Sequence, residues 1–161
     1  MTTCELNQRW HSAITMDILK GQRSTYPTSE HLSSDWVLVD ANEKILGRIA
    51  TQIAQILQGK NKATYMPGTL VGDSVVVINA AGVKMTGKKL QQREIKWYTG
   101  YEGGLKSRTV AKQMQLAPEK VIEKAVKGML PKTKHGRALM RRLRVFAGSE
   151  HNLQAQQPKA V

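Results

Sequence analysis

Residues 36–59 read WVLVDANEKILGRIATQIAQILQG, and this stretch decides the fold. Trp36-Val-Leu-Val-Asp40 is apolar on both faces, the pattern of a strand buried inside a parallel sheet. Ile45, Leu46, Ile49, Ile53, Ile56 and Leu57 then recur at helical spacing, with Ala50 and Ala54 on the same face. Asp40 or Asn42 is placed to cap that helix, and Gly59 to end it. Gly72-Asp73 introduces a second apolar strand, Ser74-Val-Val-Val-Ile78. Strand, helix and strand within so short a span make a right-handed βαβ unit the economical topology.

Working outward, Asn79 to Gly82 reads as a turn, Val83 to Thr86 as a short strand and Gly87-Lys88-Lys89 as a basic turn. Glu94 to Tyr98 alternates, which predicts a strand with Trp97 in the core. TGYEGG (99–104) is a loop. Thr109 is placed to cap a helix reaching Leu116, and Pro118 to start the next. Val121, Ile122, Ala125, Val126 and Met129 form the inner stripe of that helix, with Lys120, Lys124 and Lys127 on its solvated face. A short helix over Gly136–Arg142 and an extended piece over Arg144–Phe146 follow. The Gln-rich tail from Gly148 carries no core pattern. Residues 1–33 read as a poorly ordered extension, 34–148 as the folded domain and 149–161 as a polar tail. Met16 is an alternative start.

The chain has 161 residues, 40% of them apolar, and a formal net charge of +13. Residues 1–35 hold three cations and four acids, so the excess lies in the remainder. Such a charge speaks to partners rather than to fold, with nucleic acid the leading class. The single cysteine, Cys4, excludes an internal disulfide framework. No apolar run reaches the roughly 20 residues that span a bilayer, so no membrane is expected.

The charge concentrates in Val126–Asn152, VKGMLPKTKHGRALMRRLRVFAGSEHN, where seven lysines and arginines face one acid, Glu150. Gly128, Pro131 and Gly136 divide it into short pieces, and apolar residues between the cations tie it to a core. Crowded cations repel one another unless a polyanion is present. Cations held in a fixed shape suit folded RNA, and Arg adds bidentate phosphate contacts and stacking on bases. Lys60, Lys62, Lys88 and Lys89 lie in turns from which they can reach neighbouring RNA, and Trp97, Tyr98 and Tyr101 can stack on bases. His135 and His151 flank the basic segment as hydrogen-bond donors.

Other chemistries find little support. Gly82-x-x-x-x-Gly87-Lys88 approaches a phosphate-binding loop, but Lys89 replaces the Ser or Thr that would hold magnesium. The histidines and Cys4 lack metal-ligand spacing. Asp40 ends one strand and Asp73 precedes another, which puts the two carboxylates at opposite sheet edges. Asp40 reads instead as a cap or a partner for Arg48.

The residues from Trp36-Val-Leu-Val-Asp40-Ala41 onward also resemble a known family. Leu46-Gly47-Arg48-Ile49-Ala50-Thr51, Gly59-Lys60-x-Lys62-Ala63-x-Tyr65-x-Pro67, Val77-Ile78-Asn79-Ala80 and Val83-x-x-Thr86-Gly87-x-Lys89 carry the first half of the likeness. Thr99-Gly100-x-x-Gly103-Gly104, Ala125 to Lys132, Gly136-Arg137 and Ala147-Gly148-x-Glu150-His151-Asn152 carry the second. In order, these are similar to the thirteenth protein of the bacterial-type large ribosomal subunit. The chain departs from that pattern at Gly68–Val71, at Trp97-Tyr98 and at Lys134-His135.

The resemblance implies an α/β fold: a three-layer α/β/α domain with a small, mostly parallel four-stranded sheet, plus a basic C-terminal helical segment. It implies a structural constituent of the large subunit that clamps large-subunit ribosomal RNA early in assembly, beside neighbouring ribosomal proteins. It brings no catalytic residues, no cofactor, no metal and no small-molecule substrate. The expected RNA-binding residues are Arg48, Lys60, Lys62, Lys88, Lys89, Tyr101, Lys127, Lys132, Lys134, His135, Arg137, Arg141, Arg142, Arg144, His151 and Asn152. The expected location is the cytoplasmic ribosome of a bacterial-type cell, with an organellar ribosome as the alternative.

Overall fold

The computed structural model describes residues 32–161. Most of the expected N-terminal extension, with Cys4 and Met16, lies outside the described residues. The fold is α/β, built on a four-stranded parallel sheet and a separate two-stranded hairpin.

β1 (Trp36–Asp40) leads into α1 (Leu46–Gln58) and then β2 (Ser74–Ile78). β1 and β2 pair in parallel, Trp36 against Ser74 through Asp40 against Ile78. The apolar stripe of α1 (Ile49, Ile53, Leu57) is buried with Val37, Val39, Val75 and Val77 in one core cluster. Gly59 adopts a left-handed φ of 75° and ends α1, and the Lys60 N–H returns 3.1 Å to Gln55 O. The N-terminus of α1 differs from expectation. Its cap is Ile45, whose side chain offers no oxygen. The Asp40 carboxylate instead accepts from the Asn42 N–H at 3.0 Å and from Asn79 Nδ2 at 2.9 Å, and is not paired with Arg48. Asp40 thus ties the ends of β1 and β2 together rather than starting the helix.

After β2 the chain turns through Ala80–Gly82 and makes only an isolated bridge from Lys84 to Ile45, so the expected strand over Val83–Thr86 is absent. A one-turn helix α2 (Lys89–Gln92) takes up part of the predicted basic turn. β3 (Glu94–Tyr98) pairs antiparallel with β4 (Leu105–Thr109), with the Thr99–Gly104 loop between them. β4 was not legible beforehand: LKSRT has one apolar residue, and that residue is exposed.

α3 (Val110–Leu116) and α4 (Pro118–Met129) follow, with Pro118 in the first turn of α4 as its fixed φ favours. α4 buries Val121, Ile122 and Val126, and packs on α1. α5 (Lys134–Met140) leads to β5 (Leu143–Val145), which pairs in parallel with β2. Near the C-terminus, β6 (Lys159–Ala160) pairs with β1, Val37 against Lys159. The sheet order is therefore β5-β2-β1-β6. The polar sequence of residues 149–161 gave no sign of that edge strand.

Candidate nucleic-acid interface

The basic segment is shaped by a few backbone constraints. Leu130 is buried and anchors the end of α4. Thr133 then caps α5, its Oγ1 accepting from the Gly136 N–H. Gly136 packs so tightly on the Pro131 carbonyl that a Cβ would overlap its oxygen. Leu139 and Leu143 enter the core, and β5 adds the segment to the sheet. Of the cations between these anchors, Lys132, Lys134, Arg137, Arg141 and Arg144 are exposed.

Lys127, Lys132 and Arg137 line one open groove between α4 and α5, together with Lys120 and Lys124. Gly128 and Met140 also line it, and Glu123 is its single acid. Lys120 and Lys124, expected to be a solvated face, are thus one wall of this groove. Their spacing with Lys127 (every three or four residues along α4) was the available signal. Lys134 is exposed and His135 half-buried in the first turn of α5, and Arg141 is exposed just beyond its end. Arg144 and Asn152 line a second hollow with Phe146. The His151 ring lies 6.3 Å from that of Phe146, and its Nδ1 accepts from the Leu153 N–H. That acceptance leaves Nε2 to carry the proton of the neutral ring.

Two expected phosphate ligands are turned inward. The Lys62 ammonium meets the Asp73 carboxylate, Ser33 O at 2.8 Å and Val71 O at 3.2 Å. An ammonium has three donors, and all three have acceptors here. Arg142 donates to Gly72 O and, at 3.4 Å, to Leu70 O. The two cations therefore take alternate carbonyls of the 70–72 loop and pin it against α1 and β2. Lys62 and Arg142, both expected as RNA contacts, thus also act as latches of this loop.

The other expected residues sit on separate elements. Arg48 is exposed on α1, Lys60 just past its end, and Lys88 and Lys89 at the start of α2. Tyr101 stands 78% exposed in the turn of the hairpin. Trp97 is a further correction: it is not core but an exposed hairpin residue, with the Arg108 guanidinium 5.4 Å from its ring centroid. Lys106, Arg108 and Lys112 surround it and were not singled out in advance.

Among the described residues, four ion pairs form, and none uses Lys127, Lys132, Lys134, Arg137, Arg141 or Arg144. No group of acids, histidines or cysteines among them could hold a metal, and no helix is long and apolar enough to cross a membrane. The Asp40 carboxyl is held below its ordinary pKa, first by the Asn42 N–H and then by the Asn79 amide.

The family model described as Ribosomal protein L13 matches residues 34–152. The chain belongs to the ribosomal protein L13 family. Members of this family are structural rather than enzymatic, and the chain is a ribosomal protein in that sense. It is 51% identical to the large ribosomal subunit protein uL13 of Geobacter sulfurreducens, over 82% of this chain and 92% of that one. The same-named protein of Caldanaerobacter subterraneus is 56% identical over 78% of this chain and 88% of its own. That of Thermotoga petrophila is 47% identical over 87% and 94%. The family match takes in β1 to β5, the hairpin and the entire basic groove, and stops short of β6.

Proposed function

We propose that this ribosomal protein clamps large-subunit ribosomal RNA during early assembly, in the cytoplasmic ribosome of a bacterial-type cell and beside other large-subunit proteins. The observation that carries the proposal is the groove between α4 and α5. Lys120, Lys124, Lys127, Lys132 and Arg137 surround it against Glu123 alone. Like charges at this density raise the energy of the free protein, and phosphates relieve it. The groove walls are a core-packed helix and a segment fixed by Thr133, Gly136 and β5. Their spacing therefore stays fixed when RNA is absent, so little ordering entropy opposes binding.

Arg144, Asn152 and His151 extend the same surface, and Arg141 adds a free guanidinium at the end of α5. Arg48, Lys60, Lys88 and Lys89 supply contacts from the α1 and α2 side, and Tyr101 from the hairpin. This reading leaves out Lys62, whose three donors serve the fold, and gives Arg142 a smaller part, since its Nη1 holds Leu70 O and Gly72 O.

The test is the salt dependence of binding between purified protein and a structured large-subunit RNA fragment. The logarithm of affinity should fall linearly with the logarithm of salt concentration, by about 0.9 per phosphate neutralised. Charge reversal at Lys127, Lys132 and Arg137 together should cut that slope by about three. A flat response, or a triple variant with the wild-type slope, would overturn the proposal.

A further inference from the structure

The β3–β4 hairpin stands apart from the groove and has a different chemistry. In its ladder Tyr98 lies opposite Leu105, and Trp97 opposite Lys106. Because strand residues alternate between faces, Tyr98 and Leu105 share one side and Trp97, Lys106 and Arg108 the other. Tyr98 is 63% exposed, Leu105 64% and Tyr101 in the turn 78%. Gly100 and Gly103 flank that tyrosine's loop with left-handed φ of 94° and 65°. Apolar rings gain nothing from standing in water, so this much exposed aromatic surface points to a partner.

The arm is also braced. Arg108 covers Trp97 and donates 3.0 Å to the Oε1 of Gln113, a buried side chain on α3. Gln113 in turn donates to Ala117 O, where α3 gives way to α4. The Arg93 carbonyl accepts from the Val110 N–H at the base of the hairpin. This relay braces the hairpin that carries the rings before any partner arrives.

Charge decides between partner classes. Lys106, Arg108 and Lys112 line a hollow with Trp97 on one face of the arm. Lys96 shares the other face with Tyr98 and lies 3.8 Å from Glu94, and Glu102 is the further acid of the arm. Protein interface centres are depleted in lysine, whereas rings interleaved with cations form the pattern that holds single-stranded nucleic acid. Bases inside a duplex are already stacked, so only unpaired ones can meet such rings. We infer that the β3–β4 hairpin is a stacking arm for unpaired RNA nucleotides, with Tyr98 and Tyr101 as the rings that receive bases. The inference rests on the RNA-binding reading above and assigns the arm a task the groove does not perform.

The test uses the full chain and two RNAs of equal length: a perfect duplex, and the same duplex interrupted by a single-stranded loop. Tyr98→Ala/Tyr101→Ala should bind the looped RNA about tenfold or more weaker while keeping its affinity for the duplex. Its salt slope should not change, because no phosphate contact is lost. Tyr98→Phe/Tyr101→Phe should bind as the wild type does, since the rings remain. Both tyrosines are largely exposed, so the thermal midpoints should match and a folding defect is not in play. Equal losses on both RNAs, no loss on either, or a phenylalanine variant as weak as the alanine one would overturn the inference. If the wild type binds both RNAs and the alanine variant is unaffected, only the stacking arm fails, and a protein neighbour becomes its occupant. Wild-type protein that binds neither RNA at low salt overturns the underlying reading as well.

Discussion

Lys62 and Asp73 form an ion pair that is largely removed from water, with side-chain exposures of 22% and 6%. The other three ion pairs of the described residues are between 45% and 75% exposed. Truncating one partner of a buried pair leaves the other charge stranded, which typically costs about 3–5 kcal/mol. Lys62→Met should therefore lower the unfolding free energy by about 3 kcal/mol, at the lower end because Asp73 still accepts from the Asp35 N–H. Denaturant unfolding measures it. Lys60→Ala, two residues away and exposed, should leave stability unchanged and lower the salt slope of RNA binding by about one. An unchanged stability in Lys62→Met would show that the latch is not what holds the 70–73 loop.

Gly136 and Gly128 make an opposed pair of predictions. A Cβ at Gly136 would overlap the Pro131 carbonyl, whereas one at Gly128 on α4 meets nothing within 4 Å. Gly136→Ala should destabilise the protein by about 1–3 kcal/mol, because α5 must back away from Pro131. RNA affinity should fall with it, since Lys132 and Arg137 move relative to α4. Gly128→Ala should be neutral or stabilising by up to about 1 kcal/mol, as a helix interior gains from losing glycine. Thermal melts of the two variants side by side decide the matter.

Arg108 carries both its stacking on Trp97 and the hydrogen bond to Gln113. Arg108→Ala should leave the buried Gln113 Oε1 without that donor and uncover the indole. Amide hydrogen exchange should accelerate across 94–109 while β1 and β2 keep their protection. Uniform acceleration over the whole chain would show that the brace serves global stability instead.

The Asp40 carboxyl has its pKa depressed in the folded state, so its contribution is present above the ordinary value of 3.8 and is lost as pH falls through the lower folded value. Asp40→Ala should therefore melt below the wild type at neutral pH, with the gap closing only in strongly acidic solution. Melting curves taken from pH 7 downward check it. A gap that closes near pH 6 would assign the effect to another group.

The βαβ half was legible because burial wrote it into the chain. β1 is apolar from Trp36 to Val39 and β2 from Val75 to Ile78, and α1 carries a complete stripe from Leu46 to Leu57. Val83–Met85 misled for a related reason: Val83 is buried, yet its neighbours make only a single bridge. β4 and β6 could not be read, since both are held by ladder hydrogen bonds to a partner strand and bury almost nothing themselves. The site divides in the same way. The clustering of cations over 127–144 is a local property and was visible. Which of them face inward is not local: Lys60 and Lys62 look alike until Asp73 comes beside one of them, and Arg142 differs from Arg141 only by reaching Gly72. Trp97 was misassigned because alternation shows that a strand has two sides, not which side the body of the protein covers.

The pairings of the parallel sheet also set an order of events during synthesis. β1, α1 and β2 can come together as soon as residue 78 has been made. β5 pairs with β2 from Val75 against Leu143 to Val77 against Val145, and β6 pairs with β1 through Val37 against Lys159 and Leu38 against Ala160. Contacts so distant along the chain are slow to form, because loop closure must precede any gain from them. While the chain grows, the residues of the cationic groove therefore emerge next to an unfinished sheet, and the groove takes shape late. The grip on RNA proposed above thus waits for β5 to join β2, long after β1, α1 and β2 can pair.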